Sequence, residues 1–273
     1  MNPHAAAPAW VRRVSLTLRC IRRSAVAAGL AVAALHGHAV EPLRSGFDTM
    51  SAPIQAMQRD DDANPGMLSV LQGRTLWSRA PAAGKPSCAS CHGDLNTAMR
   101  GVAARYPAWD ERGQRPIDLS GRIAACQERH QVLPPSGSES PQRLALSAAV
   151  AQASRGMPLR PDADPRLLPA RARGEALFIR RIGQLDLSCA QCHDTAWGQR
   201  LGGSLIPQGH PNGYPLYRLQ WQALGSLQRR LRNCLTGVRA QPWPVDAPEY
   251  VEIELYLVSR AVGLVVETPA VRP

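Results

Sequence analysis

Two short runs of the sequence have the same spacing of two cysteines and a histidine. Cys88-Ala-Ser-Cys91-His92 recurs 101 residues further on as Cys189-Ala-Gln-Cys192-His193. A C-x-x-C-H run is the attachment signature of c-type haem. Its two thiols bind two vinyl groups on one edge of the porphyrin, and the histidine reaches the iron as an axial ligand. A single run could be a zinc half-site, but two runs in equivalent surroundings predict two covalently bound haem c groups.

The segments before the two runs are also equivalent. Gly73-Arg-Thr-Leu-Trp77 begins fifteen residues before Cys88, and Gly174-Glu-Ala-Leu-Phe178 begins fifteen residues before Cys189. A Gly-x-x-Leu-aromatic turn of helix is typical of the start of a cytochrome c domain, where the aromatic side chain packs against the closing helix. An internal repeat of this kind predicts an all-α protein with two tandem cytochrome c domains that arose by duplication.

The composition of the remaining chain divides it into four segments. Residues 1–39 contain five arginines, no acidic residue, a short apolar run at 25–35 and small residues near Ala39. This pattern predicts a cleaved signal peptide, export to the periplasm and no stable membrane span afterwards; an uncleaved anchor is the alternative. We expect a polar, irregular N-terminal extension over 40–64, a first domain over 65–165 and a second domain over 166–273.

Helical periodicity and proline place the elements inside the two domains. The spacing predicts helices over 141–155, 170–182 and 248–266, and the first and last of these close their domains. Four prolines between 158 and 169 predict a linker that is neither regular helix nor central strand. No alternating strand pattern is visible, which favours the all-α class.

Composition also limits the function. The formal charge is +11 and falls to +6 without the five arginines of 1–39. No basic run is interleaved with aromatic residues, so nucleic-acid binding is not expected. A moderately positive surface suits an anionic substrate or an acidic redox partner. Two Phe and five Tyr are a small supply for a core of this length, and two buried porphyrins would fill it.

Two further cysteines are candidates for the distal side of the haems. Cys126 and Cys234 follow the two histidines at comparable distances, and each lies where its domain must bring a loop over the haem. A disulfide between them is the alternative. No methionine or lysine follows His193, so Cys234 and His210 are the candidates in the second domain. In the first domain the competitors of Cys126 are Met99, Met157 and His130.

A sulfur ligand would favour the ferric iron and allow chemistry at the sulfur itself. Arg230 precedes Cys234 by one helical turn, and Arg239 follows it by five residues. Their guanidinium groups could hold a sulfonate and lower the thiol pKa. A haem propionate is the alternative partner for either arginine.

Several segments resemble the SoxA family, the dihaem subunit of the SoxAX cytochrome of thiosulfate oxidation. The opening segment 57–68, the loop that begins Cys126-Gln-Glu-Arg and the run Ser154-Arg-Gly-Met-Pro158 are similar to that family. The most specific match is Arg230-Leu-Arg-Asn-Cys234-Leu-Thr-Gly-Val-Arg239, the active-site motif. Trp243-Pro244 departs from the family, where a smaller and more polar segment is expected, and this bears on access for a carrier.

The resemblance implies a function and a set of partners. It implies that Cys234 ligates the active haem and carries a persulfide, that Arg230 binds the anion, and that the first haem is remote. It further implies oxidative conjugation of thiosulfate to a cysteine of the SoxYZ carrier, with electrons passing through the monohaem partner SoxX to a small cytochrome c. A thiosulfate dehydrogenase that forms tetrathionate and a non-catalytic dihaem electron carrier remain alternatives.

Overall fold

The computed structural model describes residues 42–273, and the predicted signal peptide over 1–39 lies outside the described residues. In this part of the chain no helix is long and apolar enough to cross a membrane. Residues 42–273 contain nine α-helices: α1 Ala52–Arg59, α2 Gly66–Ser78, α3 Cys88–His92, α4 Leu95–Ala98, α5 Leu119–Cys126, α6 Pro141–Gln152, α7 Leu168–Ile179, α8 Leu227–Gly237 and α9 Pro248–Arg260.

Short strands join the helices, contrary to the sequence-based expectation of a chain without strands. The strands are β1 Ala108–Asp110, β2 Arg115–Ile117, β3 Arg200–Leu201, β4 Ser204–Leu205, β5 Leu216–Arg218, β6 Ala223–Gly225 and β7 Ala270–Arg272. They form two antiparallel hairpins and a three-stranded sheet in the order β6-β5-β7, where β7 runs parallel to β5. Strands of two or three residues are too short to show an alternating pattern, so the sequence did not predict the hairpins. The predicted helical class is still correct, because helices form most of the regular structure of residues 42–273.

Two pairs of helices cross at very short distance, and each crossing contains a glycine of the repeat. A Cβ atom at Gly73 in α2 would lie 2.0 Å from the carbonyl oxygen of Ala145 in α6. A Cβ atom at Gly174 in α7 would lie 1.9 Å from the carbonyl oxygen of Glu252 in α9. No side chain fits at either position, which explains why the repeat begins with glycine.

The aromatic residue of each repeat is buried in the same helix pair. Trp77 is 6% exposed and packs in a cluster with Leu146 and Val150 of α6. Phe178 is 1% exposed and packs with Ile253 and Leu257 of α9. The predicted packing of each aromatic against a closing helix is therefore present, although α6, α7 and α9 end at 152, 179 and 260, a few residues before the predicted boundaries.

Each of the two remaining cysteines lies on a helix that follows a hairpin of the same construction. Helix α5 follows hairpin β1-β2, and α8 follows hairpin β5-β6. The turns contain Gln114 at φ 48° and Gln222 at φ 49°, and each glutamine side chain donates to the carbonyl three residues earlier at 2.6 Å. Asp118 and Ser226 cap the two helices with their side chains, which stabilises the first turn. Cysteine is the eighth residue of both helices.

The segment before the first domain is more ordered than the sequence predicts. It contains α1, and its side chains reach the C-terminal strand: the Gln58 Oε1 atom accepts from the Val271 N–H at 3.0 Å, and the Asn64 amide donates to the Pro269 carbonyl at 2.9 Å. Buried hydrogen bonds of this kind tie the segment to β7. The division of the chain into domains at 64 and 165 stays a prediction.

Candidate haem and sulfur site

The first C-x-x-C-H run is a short helix held in place by capping. The Ser87 side chain accepts from the Ser90 N–H at the start of α3. Trp77 fixes the other end, because its indole Nε1 donates to the Gly93 carbonyl at 3.0 Å and its ring centroid lies 5.6 Å from that of His92. The two thiols and the imidazole are therefore positioned by the same helix crossing that buries Trp77.

A cavity of about 940 Å³ opens beside this helix and fits a porphyrin. Its lining includes Cys88, Cys91 and His92, and on other elements Cys126, Met99 and His130, together with apolar side chains such as Leu146 and Val150. Within residues 42–273 no group of three or more His, Cys, Asp or Glu side chains is arranged to hold a bare metal ion. An apolar cavity with attachment thiols and a donor histidine is suited to haem c rather than to zinc.

The cavity brings together three of the four distal candidates of the first domain. Cys126, Met99 and His130 all line it, and Met157 is not among the lining residues. Burial and the neighbouring Cys91 raise the pKa of the Cys126 thiol, against the opposing charges of Arg122 and Arg129. Cys126 thus faces the attachment thiols but is not electrostatically activated.

The second run is oriented by a hydrogen bond typical of metal-binding histidines. His193 Nδ1 lies 2.7 Å from the Pro207 carbonyl oxygen. This contact fixes the ring and leaves Nε2 for a metal on the opposite edge. Gly209 packs against the ring, because a Cβ there would lie 3.1 Å from the His193 Nδ1 atom, and its φ of 79° also favours glycine.

Cys234 faces His193 from α8. The two side chains interact electrostatically, so the two predicted iron ligands of the second haem lie near each other. His210, the competing candidate, lies in the same loop as Pro207, and its Nε2 is 3.1 Å from the Gln208 Oε1 atom. All six cysteines of the described residues are free, so the alternative disulfide is not formed.

The charges around Cys234 differ from those around Cys126. Burial alone would raise the pKa of the Cys234 thiol, but the interactions with His193 and with the positive charges of Arg230 and Arg218 outweigh it. The net effect is a lowered pKa. Because the thiolate is the reactive form, Cys234 is the cysteine of the pair that the surroundings activate.

The two arginines predicted from the sequence are placed differently. Arg230 lies on α8 one turn before Cys234, and within residues 42–273 it has neither an ion pair nor a side-chain hydrogen bond. Arg239 lies beyond the end of α8 at φ 57°, where its carbonyl accepts from the Gln184 N–H at 3.3 Å. The contacts described for Arg239 are those of its backbone, so the structure shows Arg230 next to the thiol on α8, and the role of Arg239 stays a prediction.

Two residues of this site were missed by sequence reasoning. Arg218 ends β5 and Tyr214 precedes it, and both interact electrostatically with Cys234. Burial raises the pKa of Tyr214 to about 12, so its phenol keeps its proton at neutral pH. A signal was available, because Tyr214-Pro215 repeats the dipeptide Tyr106-Pro107 that precedes β1.

Comparisons with known proteins identify the family of this chain. Residues 72–159 match the model of the SoxA/TsdA cytochrome c domain. The L-cysteine S-thiosulfotransferase subunit SoxA of Pseudaminobacter salicylatoxidans is 35% identical over 241 residues, covering 88% of this chain and 84% of the relative. SoxA of Rhodovulum sulfidophilum is also 35% identical, with 85% and 81% covered. The chain belongs to the SoxA family.

A solved structure agrees with the sequence comparison. SoxXA from P. pantotrophus superposes with a TM-score of 0.81 at 30% identity, covering 85% of this chain and 87% of that chain. This SoxA-family chain is accordingly an enzyme subunit with a helical cytochrome c fold and covalently bound haem c, as the sequence predicted. The family resemblance drawn from the motif around Cys234 is confirmed.

Proposed function

We propose that this protein catalyses the oxidative conjugation of thiosulfate to a cysteine of a SoxYZ-type carrier protein. The observation that carries the proposal is the arrangement at α8, where the Cys234 thiol interacts with His193 and Arg230, one helical turn before it, has no carboxylate partner in residues 42–273. The relatives are named L-cysteine S-thiosulfotransferase, and an activated sulfur beside an unpaired cation is what that reaction requires.

The proposed reaction is balanced by two electrons and one proton. Thiosulfate and a carrier thiol form a cysteine S-thiosulfonate, in which a new S–S bond joins the carrier sulfur to the outer sulfur of thiosulfate. The thiol releases its proton, and two electrons leave the sulfur atoms. The haem supplies the one-electron acceptor for these electrons when it is bound.

Different residues are proposed to bind the anion, to transfer sulfur and to hold the haem. Arg230 binds the sulfonate end of thiosulfate by charge-assisted hydrogen bonds. The terminal sulfur at Cys234, as thiolate or persulfide, forms an S–S bond to the outer sulfur of thiosulfate as two electrons leave the two sulfur atoms. The carrier thiolate then attacks that outer sulfur, takes over the whole S–SO3 group and releases Cys234 in its starting form. Cys189 and Cys192 would attach the second haem, and His193 and Cys234 would hold its iron.

The first domain is proposed to hold the first haem c, in the cavity described above. Cys88 and Cys91 would attach this haem, and His92 and Cys126 would hold its iron. The shared turn and cap before Cys126 and Cys234 support an origin of the two domains by duplication. Arg239 is assigned a supporting role, either at the bound anion or at a haem propionate.

The proposed partners follow from the family. A monohaem SoxX subunit forms the heterodimer, in line with the SoxXA structure, and passes electrons to a small cytochrome c. The protein works in the periplasm after removal of the signal peptide over 1–39. No nucleic acid is involved.

The test compares two cysteine variants at equivalent positions. The holoprotein with its haem partner, the carrier protein, thiosulfate and an oxidised cytochrome c acceptor are combined, and the carrier is weighed by mass spectrometry. Cys234→Ala should abolish the thiosulfate adduct, whereas the control Cys126→Ala should retain it, and both should keep their attached haems because attachment uses other thiols. Full conjugation by Cys234→Ala would end the sulfur-relay proposal.

The same experiment separates the alternative functions. Tetrathionate formed from thiosulfate and acceptor without any carrier would show a thiosulfate dehydrogenase. Reduction of the haems without consumption of thiosulfate would show an electron carrier. Low-temperature EPR of the oxidised protein should lose one thiolate-type low-spin ferric signal in Cys234→Ala, and an unchanged spectrum would favour His210 as the ligand.

A further inference from the structure

The two hairpin–helix units place matching residues around Cys126 and Cys234. Hairpin β1-β2 with α5, and hairpin β5-β6 with α8, share their turn, their helix cap and the position of the cysteine. Three further positions correspond between the units: Tyr106 with Tyr214, Asp110 with Arg218, and Arg122 with Arg230. The charge is opposite at one of these positions, where the first unit has Asp110 and the second has Arg218.

In the first unit the arginine before the cysteine is neutralised. Arg122 NH1 donates to the Asp110 Oδ1 atom at 2.8 Å, and Arg129 approaches Oδ2 of the same carboxylate at 3.5 Å. The Asp110 side chain is 5% exposed. Asp110 therefore supplies one buried negative charge against the two positive charges of Arg122 and Arg129, and the Arg122 guanidinium is held by this carboxylate.

In the second unit an arginine stands where that carboxylate would be. Arg218 has a buried Nε atom without a hydrogen-bond partner. Its guanidinium carbon lies 5.2 Å from the Trp221 ring centroid, and NH2 makes a long bond of 3.4 Å to the Gln220 Oε1 atom. The positive charges of Arg218 and Arg230 oppose each other, and neither has an ion pair with a carboxylate of residues 42–273.

We propose that Arg218 is a second anion-binding residue of the Cys234 site, and that together with Arg230 it selects a divalent oxyanion of sulfur. The inference rests on the proposed function and extends it to specificity. Two guanidinium groups that lack a protein counter-ion destabilise each other until an anion lies between them. A guanidinium fork binds oxyanions through paired N–H donors, and the orphaned Nε atom of Arg218 is one such donor.

The charge reversal also accounts for the difference between the two sites. An anion approaching Cys126 meets Arg122 already paired with Asp110, whereas an anion approaching Cys234 meets two unpaired cations. The change from Asp110 to Arg218 at corresponding positions alters the local charge by two units, and we assign the difference in anion binding to it.

The experiment measures anion binding directly. It compares Arg218 with Arg229, because both guanidinium groups stack on the Trp221 ring. Thiosulfate is titrated calorimetrically into the oxidised holoprotein without carrier, for wild type, Arg218→Gln and the control Arg229→Gln. Arg229 also stacks on Trp221, at 4.3 Å, and its removal changes the net charge equally. Loss of a hydrogen bond to a charged group should weaken thiosulfate binding by roughly tenfold to a hundredfold in Arg218→Gln, and Arg229→Gln should stay within about twofold of wild type.

Two further measurements make the outcome specific to charge and valence. Arg218→Asp, which copies the arrangement at Asp110, should bind thiosulfate more weakly than Arg218→Gln. The preference for thiosulfate over the monovalent methanesulfonate should shrink in Arg218→Gln, because one of the two cations is gone. Haem absorbance and far-UV circular dichroism show that each variant is folded.

Failure of this inference is distinguishable from failure of the proposed function. Unchanged thiosulfate affinity in Arg218→Gln, or equal losses in Arg218→Gln and Arg229→Gln, would overturn the role of Arg218 even if the wild type conjugates thiosulfate to the carrier. A wild type that binds thiosulfate through Arg218 but forms no carrier adduct would instead overturn the proposed function and leave the anion site standing.

Discussion

Replacement of Gly174 by alanine tests the crossing of α7 and α9 that supports the second haem segment. The new Cβ would lie 1.9 Å from the Glu252 carbonyl oxygen and 3.1 Å from the Ile253 nitrogen. A carbon–oxygen contact needs about 3.3 Å, so the two helices must separate by more than an ångström. Both obstacles are backbone atoms, and therefore no side chain can rotate away to relieve the contact.

The magnitude follows from two opposing effects. Overpacking in a well-packed core costs about 1–3 kcal/mol, and this case lies at the upper end because backbone must move. Alanine returns about 1 kcal/mol through its higher helix propensity. We expect the free energy of unfolding of Gly174→Ala to fall by about 2 kcal/mol, and that of Gly73→Ala, with its 2.0 Å approach to the Ala145 oxygen, to fall by a similar amount.

The assay is guanidinium unfolding of the holoprotein followed by far-UV circular dichroism, with Gly237→Ala as the matched control. Gly237 is also helical, at the end of α8, and a Cβ there meets nothing within 4 Å. Gly237→Ala should leave the unfolding midpoint unchanged or raise it slightly. If Gly174→Ala unfolds at the same midpoint as Gly237→Ala, the close crossing and the steric account of the repeat glycines are refuted.

Three smaller predictions concern polar contacts between side chains or between a side chain and the backbone, all measured by denaturant unfolding. Asp110→Asn should lower the free energy of unfolding by about 2 kcal/mol, because Arg122 loses its partner at 2.8 Å; equal stability of variant and wild type would contradict this. Tyr250→Phe should cost about 1 kcal/mol, since the phenol donates to the Trp243 carbonyl at 2.9 Å, and a loss above that of Asp110→Asn would point to another cause. The hydrogen bond from Arg155 lowers the pKa of Asp61. Their half-exposed ion pair should therefore stabilise the fold by less than about 1 kcal/mol above pH 4, and this contribution should be lost as the pH falls further and Asp61 is protonated. The stability of Asp61→Asn should lack this pH-dependent contribution.

The features that the sequence predicts well are those with a fixed spacing. The C-x-x-C-H runs and the Gly-x-x-Leu-aromatic turns are local patterns, and their chemistry or sterics dictates the residue types. Gly73 and Gly174 illustrate this. A Cβ atom on either residue would lie 2.0 Å or less from a backbone oxygen, so no side chain fits there. Cys234 and Arg230 are one helical turn apart, so their shared face also follows from local geometry.

The features that escaped prediction depend on contacts between distant segments. Arg218 is positioned by the pairing of β5 with β6 and β7. Strands of three residues are too short to show the alternating pattern from which a strand is predicted. Asp110 and Arg218 correspond only after the hairpins are aligned, since the second unit has additional residues before Tyr214. Arg239 lies beyond the end of α8, and its supporting role stays a prediction.

The parallel pairing of β5 with β7 makes the sheet that precedes α8 depend on the last residues of the chain. Leu216 pairs with Ala270 and Arg218 with Arg272, so β7 supports the strand that ends at Arg218 from the side opposite β6. A chain that ended before Ala270 would leave this strand paired only with β6.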